Sequence, residues 1–180
     1  VGVSFIVKAA TMVDLGTAED FAVLAGSGIT DTNPSVIVGD VGLDPTGGVA
    51  IPGLTCAEVT GTIYDNDAGY TGGNAPGLIG CLVTDDPLVT GAKADLVTAY
   101  NDASGQVITG VVSADLGGQT LTPGVYEEND APDSLSISGT LTLDGQGDPN
   151  AVFIFKSGST LTTAAGSSVN LINEAQACNI

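Results

Sequence analysis

The chain of 180 residues contains no histidine, no arginine and no tryptophan, and only three lysines. Without histidine it lacks the usual general base and the commonest ligand of transition metals, which excludes nucleophilic sites of the Ser-His-Asp and Cys-His kinds. Neighbouring acids such as Asp85–Asp86 and Glu127–Glu128 could hydrolyse a glycosidic bond, but such pairs in loops are usually surface charge. With aromatic residues at only 4%, a sugar-stacking cleft is also disfavoured, and we expect no enzyme.

Positive charge is almost absent, since 21 acidic residues face three lysines for a net charge of −18. Nucleic acids and anionic membrane surfaces are bound through lysine and arginine, so neither is an expected partner. No apolar run is long enough to span a bilayer. The acidic surface is interpreted as the solubilising surface of an extracellular or salt-exposed protein, and cation binding by carboxylates is the alternative.

One acidic turn, Asp144-Gly-Gln-Gly-Asp148, faintly resembles the Ca²⁺ turns of β-rolls. It occurs once, and it also fits a plain corner in which glycine supplies a positive φ and aspartate hydrogen-bonds its own backbone. We therefore expect no cofactor, with Ca²⁺ as the weaker alternative.

Three cysteines predict an oxidising compartment, with one disulfide and one leftover thiol. A bridge between Cys56 and Cys81 would close a loop of about 25 residues, worth roughly 3 kcal/mol in the loop-entropy model. It would staple an irregular insertion rich in glycine and proline at about 46–86. Other pairings, including ones with Cys178, remain open at this point.

From Ser138 to Ile180 the chain reads as short β-branched strands separated by glycine, aspartate, asparagine and serine corners. Thr140-Leu141-Thr142 recurs as Thr160-Leu161-Thr162. Such recurrence predicts a mainly β, coil-on-coil solenoid in which each rung covers the preceding one.

One long helix is predicted at about 87–103, with Pro87 in its first turn and Ser104-Gly105 at its end. A single helix among many strands is expected to lie alongside the sheets. Further upstream, Thr17 and Asp20 resemble a capping box at a short helical turn. The residues that form the apolar stripe of the long helix are Leu88, Ala92, Leu96, Ala99, Tyr100 and Ala103.

Several motifs in this order resemble the microbial ice-binding protein family. The resemblance implies a right-handed β-solenoid with one long helix packed alongside, and it covers a domain at 13–180. The motifs that carry it include Gly39-Asp-Val-Gly42, Leu121-Thr-Pro-Gly-Val-Tyr126, Gly139-Thr-Leu-Thr-Leu-Asp144, Gly147-Asp-Pro-Asn-Ala-Val-Phe-Ile-Phe155 and Ala175-Gln-Ala-Cys-Asn179.

The two ends of the chain differ from the family pattern and suggest assembly. An apolar arm at 1–12 precedes the first motif, and family members continue beyond the last one. We therefore predict an extracellular filament or pilus-like subunit, a homopolymer joined by donor strands; an edge strand on the arm's own domain is the alternative. The donor residues would be Val1, Val3, Phe5 and Val7, and the acceptor end would comprise Ala175, Cys178, Asn179 and Ile180.

The second functional hypothesis is ice binding, or adhesion to ice or another surface, as the resemblance implies. Four threonines, Thr140, Thr142, Thr160 and Thr162, would form a flat array of hydroxyl and methyl groups that orders water. Threonine is also simply a good strand residue, which is the competing interpretation.

Overall fold

The computed structural model describes residues 10–32, 34–66, 81–84, 86–128 and 134–180. It divides the chain into two compact units. The N-terminal unit comprises residues 14–101, and the C-terminal unit comprises residues 102–180 with the described residues before Asp14. Both are built from short parallel strands, which confirms the predicted β-solenoid class.

The N-terminal unit opens with a 3-10 helix, Gly16–Asp20, and has two parallel sheets. Its core is aliphatic, and Val41, Leu43 and Ile63 are completely buried because alternate residues of adjacent strands point to the same side. The larger sheet has the spatial order β1 (Phe21–Ala25), β3 (Asp40–Leu43), β5 (Ile63–Asp65) and β6 (Leu82–Thr84), and the smaller pairs β2 (Ile37–Val38) with β4 (Val59–Thr60).

The C-terminal unit has three parallel sheets that the chain visits in a fixed sequence, once in each turn. Every strand therefore pairs with the strand one turn earlier or later. The sheets are β7 (Gly110–Val112), β9 (Gly124–Glu128) and β12 (Phe153–Lys156); β10 (Leu135–Ile137) and β13 (Leu161–Thr163); and β8 (Thr120–Leu121), β11 (Thr140–Asp144) and β14 (Ser168–Ile172).

A row of leucines holds the last of these sheets on the core. Leu143 pairs in register with Leu121 on one side and with Leu171 on the other, and its own side chain is fully buried. Its neighbour Thr142 points outwards because side chains alternate along a strand. Burial of such a leucine contributes about 1.5–3 kcal/mol.

The recurrence of Thr-Leu-Thr does not correspond to stacking. Thr140 pairs with Ser168, and Leu161 pairs with Leu135, so the two copies lie on different sheets. The corners between strands differ in length, and the turn at Gly145–Ala151 is much longer than Ser138–Gly139. A fixed sequence period therefore does not follow the turns of this solenoid.

The long helix α1 spans Asp86–Gly105, where the sequence predicted 87–103. Within the N-terminal unit, Thr17 attaches to it by donating from its backbone nitrogen and its Oγ1 to Asp95 Oδ2, at 2.9 and 2.6 Å. The predicted capping box with Asp20 is wrong, because the Thr17 side chain bonds the ionised acceptor on α1. Gly16 permits this contact, since a Cβ there would lie 2.6 Å from Asp95 Oδ2.

Within the C-terminal unit, to which the last turn of α1 belongs, a lysine caps the end of the helix. Lys156 Nζ donates to the carbonyl oxygens of Ser104 and Gln106, at 2.7 and 2.6 Å. A cation at this position satisfies the last helical carbonyls and opposes the partial negative charge of the helix end.

The disulfide prediction is confirmed, since Cys56 and Cys81 are bonded with their Cα atoms 5.6 Å apart. Most of the loop that they close, residues 67–80, lies outside the described ranges. Cys178 is a free and exposed thiol.

Leu143→Ala should lower the free energy of unfolding by about 2–5 kcal/mol, because it removes buried methyl groups and leaves a cavity in the leucine row. Urea unfolding followed by circular dichroism measures this. The matched control is Val111→Ala, at a side chain 62% exposed, for which we expect a change within about 0.5 kcal/mol. Equal losses for the two variants would contradict the assigned register.

Candidate functional site

Glycine corners separate the strands that carry the exposed faces. In the C-terminal unit a Cβ on Gly117 would lie 2.6 Å from the nitrogen of Gly139, one turn later. In the N-terminal unit a Cβ on Gly61 would lie 2.4 Å from the oxygen of Gly39. Both corners therefore require glycine. Each unit has one sheet whose strands end at these corners, and we call it the pre-corner sheet of that unit. It is β2–β4 in the N-terminal unit and β10–β13 in the C-terminal unit. The sheet that follows the corner in the C-terminal unit, β8–β11–β14, is called the post-corner sheet.

The pre-corner sheet of the C-terminal unit exposes hydroxyl groups. Leu135 and Ile137 point into the core and are buried, whereas Ser136 between them faces outwards. Ser136 pairs in register with the exposed Thr162 of β13. The outward row is therefore small, polar and uncharged at these two positions.

The pre-corner sheet of the N-terminal unit exposes β-branched side chains. Val38 is 74% exposed and pairs in register with Thr60, which is also exposed. Val36, two residues earlier on the same side, is 86% exposed. Ile37 and Val59 point inwards. This outward row presents methyl groups and one hydroxyl group.

The post-corner sheet carries five polar side chains on one face. Thr142 pairs with Thr120 on one side and with Asn170 on the other. Thr140 pairs with Ser168, and their side-chain oxygens lie 3.0 Å apart. All but the half-buried Thr142 are exposed.

The four predicted threonines do not share one face. Thr140 and Thr142 lie on the post-corner sheet, and Thr162 lies on the pre-corner sheet. Thr160 lies just before β13, where its carbonyl oxygen accepts hydrogen bonds from the nitrogen of Leu135 (2.9 Å) and from Ser157 Oγ (3.1 Å).

Sequence reasoning missed Val36, Val38, Thr60, Ser136 and Thr120. A signal for most of them was present, because Val38-Gly39, Thr60-Gly61 and Ser138-Gly139 each join a β-branched or hydroxyl-bearing strand end to a glycine. Aligning the chain on these glycines, and not on Thr-Leu-Thr, places the outward residues on matching strands.

The acidic turn is arranged as a backbone corner. Asp144 Oδ1 accepts from the nitrogen of Gln146 (2.8 Å) and from Asn173 Nδ2 (2.9 Å). Asp148 Oδ1 accepts from the nitrogen of Asn150 at 2.9 Å, and Gly147 has a φ of 80°. Within the described ranges no group of three metal-ligating acids or cysteines is found. The contacts match the corner interpretation.

Asp115 and Asp95 are among the carboxylates whose hydrogen-bonded environments favour ionisation. The pKa of Asp115 is lowered by hydrogen bonds from the Ser138 side chain and from the backbone nitrogens of Gly117 and Ser138, while burial opposes the shift. The pKa of Asp95 is lowered by the side chain and then the backbone nitrogen of Thr17. In both cases the donors bind the ionised form of the carboxyl group, and stabilising that form lowers its pKa.

The residues predicted for assembly lie partly beyond the described ranges, since Val1, Val3, Phe5 and Val7 all fall at 1–9. At the other end, Asn179 is buried and donates from Nδ2 to the oxygen of Pro149 at 3.0 Å. Ala175 packs against the C-terminal core, while Cys178 and Ile180 are exposed.

Comparison with known proteins identifies the family. The model of the ice-binding-like family matches residues 23–180. The chain belongs to this family. It is 41% identical to an ice-binding protein of Nostoc sp. (strain HG1) over 92% of this chain and 53% of that protein. Against one from Flavobacterium frigoris (strain PS1) it is 38% identical over 94% of this chain and 57% of the relative. It thus spans little more than half of these relatives.

Solved structures support the same assignment. A crystal structure of an ice-binding protein from an Antarctic biological consortium matches all of this chain and 72% of its own, with 38% identity and a TM-score of 0.72. The glycosylated ice-binding protein LeIBP from an Arctic yeast matches 96% of this chain and 73% of its own, with 32% identity and a TM-score of 0.78.

These comparisons correct the main functional prediction. The filament or pilus-like subunit assembled by donor strands is wrong, because the relatives over almost the whole chain are named ice-binding proteins. At the predicted acceptor end, two of the residues are already engaged within the chain itself, since Asn179 donates to the oxygen of Pro149 and Ala175 packs against the C-terminal core. The expectation that the chain is not an enzyme is confirmed by the same relatives. Within the described ranges, no helix combines the length and apolar character needed to cross a membrane.

Acidification should weaken the fold through Asp95 and Asp115. Because their folded pKa values lie below the unfolded ones, their stabilisation is complete above about pH 4 and is lost as the pH falls through the folded pKa. Asp95→Asn should therefore lower the Tm at pH 7, and the difference from wild type should shrink towards pH 3. Thermal unfolding by circular dichroism measures both values, and a difference independent of pH would contradict this.

Proposed function

We propose that this chain is a secreted ice-binding protein that contacts ice through the outward residues of its pre-corner sheets. The carrying observation is that these outward positions are uncharged in both units: Val36, Val38 and Thr60 in one, and Ser136 and Thr162 in the other. The names of the relatives support ice as the ligand. The Cys56–Cys81 disulfide supports an oxidising, extracellular location.

A parallel β-solenoid suits a crystalline ligand because its outward side chains repeat in two directions. Adjacent strands lie about 4.8 Å apart, and same-face residues along a strand are separated by about 6.6 Å. Valine and threonine are restricted at χ1, so their methyl and hydroxyl groups hold fixed positions with little entropy left to lose. Such an array can order water at repeating positions before ice is met.

Absence of charge is the second requirement. An ammonium or carboxylate facing ice would exchange its hydration shell for a lattice that cannot reorganise around it, and desolvation of a charge is expensive. The five pre-corner positions named above avoid this. The acidic side chains that give the chain its net charge of −18 lie at other positions, where they maintain solubility.

The post-corner sheet is the second candidate surface, favoured by the contact between Thr140 and Ser168. It ends, however, at Asp144, whose carboxylate is held by Asn173. In the N-terminal unit, the sheet that follows the corner is covered differently. There Phe21 and Tyr64 form an edge-to-face pair, 5.6 Å between centroids, and the Phe21 ring lies over Gly42. Among the described residues, the pre-corner positions named above carry neither a charge nor an aromatic ring in either unit.

Lysine substitution distinguishes the two surfaces. Thr162→Lys and Val38→Lys should each reduce thermal hysteresis roughly fivefold or more, because the ammonium group resists desolvation against ice. Thr142→Lys tests the post-corner sheet and should retain most of the activity. Val111→Lys, at an exposed position of β7, is the control for added charge. Nanolitre osmometry measures the hysteresis, with circular dichroism verifying the fold.

Two results would overturn parts of this assignment. If the wild-type chain neither shapes ice crystals nor shows hysteresis at micromolar concentration, ice binding itself is refuted. If Thr142→Lys abolishes activity while the pre-corner variants keep it, the ice-contact surface is the post-corner sheet.

A further inference from the structure

The carboxylate of Asp115 lies at the glycine corner of the C-terminal unit and joins two successive turns of the chain. Its Oδ1 accepts from the nitrogen of Gly117 at 2.8 Å and from the nitrogen of Ser138 at 3.1 Å. Its Oδ2 accepts from Ser138 Oγ. Gly117 is in the same turn as Asp115, and Ser138 belongs to the next one. One exposed side chain therefore makes three hydrogen bonds across the corner.

Besides the carboxylate, backbone hydrogen bonds join the two turns on either side of this corner, from the nitrogen of Leu116 to the oxygen of Ser136 and from the nitrogen of Gly118 to the oxygen of Thr140, both at 2.8 Å. A Cβ on Gly117 would lie 2.6 Å from the nitrogen of Gly139, so position 117 cannot carry a side chain. Glycine has the greatest conformational freedom of any residue, so its backbone costs the most entropy to fix. Ser138 is exposed and contributes no apolar burial. Polar contacts to the corner are accordingly its main restraint.

The same aspartate lies directly beside the outward row of the pre-corner sheet. Its backbone forms a parallel bridge with Ser136, and Ser136 pairs in turn with Thr162. Strand β10 has only three residues, so any displacement at Ser138 is transmitted to Ser136 two positions away. The exposed carboxylate of Asp115 is therefore in line with Ser136 and Thr162, and it is turned to the corner, where the three protein donors satisfy it.

We propose that Asp115 is a positioning residue of the ice-contact surface, which fixes the Ser138–Gly117 corner and thereby the spacing of Ser136 and Thr162 in the outward row. The inference rests on the proposed ice-binding function. Binding to the ice lattice tolerates little movement of the outward row, whereas the stability of the fold tolerates a loose corner at the surface. A residue that fixes the corner should therefore affect ice binding more than folding. Asp115 itself touches no ice in this account.

The test compares Asp115→Ala with a matched variant, Asp95→Ala. Asp95 likewise accepts a backbone N–H and a hydroxyl hydrogen bond from one residue, Thr17, but it lies on α1 and not on a pre-corner sheet. Thermal hysteresis is measured near the freezing point. Circular dichroism at the same temperature checks that both variants are folded. We expect a roughly fivefold loss for Asp115→Ala and near wild-type hysteresis for Asp95→Ala, on the premise that position and not stability controls activity.

A conservative substitution and a spectroscopic signal separate positioning from general stability. Asp115→Asn keeps an oxygen acceptor for the backbone nitrogens of Gly117 and Ser138, so it should recover at least about half of the hysteresis lost in Asp115→Ala. Amide proton resonances of Gly117 and Ser138 should shift upfield in Asp115→Ala and stay near their wild-type positions in Asp115→Asn. If Asp115→Ala does not fold, Ser138→Ala replaces it, with a smaller expected loss.

The outcomes distinguish this inference from the proposed function. Wild-type protein without hysteresis refutes ice binding and the inference with it. Active wild-type protein with unchanged hysteresis in Asp115→Ala refutes only the positioning role, as does an equal loss in Asp95→Ala. Loss in Asp115→Ala alone, with recovery in Asp115→Asn, supports it.

Discussion

The register of the parallel strands is the constraint on which the other features depend. Leu143 lies between Leu121 and Leu171, and this inward row decides which side chains of the same strands face outwards. Side chains alternate with a period of two, so a slip of one residue would bury Thr142 and expose Leu143. The register of the strands therefore sets both the packing of the core and the chemistry of the surface. The same pairing that stabilises the fold also gives a regularly spaced surface for a repeating ligand.

Glycine and carboxylate groups together form the corners that preserve this register. Gly39, Gly61 and Gly117 allow successive turns to approach closely, and hydrogen bonds to Asp40 and Asp115 then restrain the corners. With so few lysines, the carboxylates here take backbone nitrogens and hydroxyls as partners, as Asp115 does with Ser138. A chain with a net charge of −18 can in this way keep acids at structural positions while the five proposed contact positions stay uncharged.

Much of the fold could be predicted from the sequence because its signals are local. Pro87 and Ser104-Gly105 mark the helix, Cys56 and Cys81 bracket an irregular segment, and ordered motifs indicate the family. The site was only partly predictable, because which strands stack depends on corner lengths that vary from turn to turn. Thr140 and Thr160 therefore looked equivalent and are not. Val38 and Ser136 were overlooked, because their outward row becomes visible only when the strands are stacked so that they pair with Thr60 and Thr162.

Ice affinity is the central claim, and partitioning of the labelled protein into growing ice tests it most directly. A single ice crystal grown slowly from a dilute solution of the fluorescently labelled chain should take up the label on particular crystal planes. If the pre-corner sheets contact ice, the label of the wild-type chain should appear in defined patches, and a labelled Thr162→Lys chain should leave none. Exclusion of the wild-type chain from the ice, as for an ordinary soluble protein, would contradict the account.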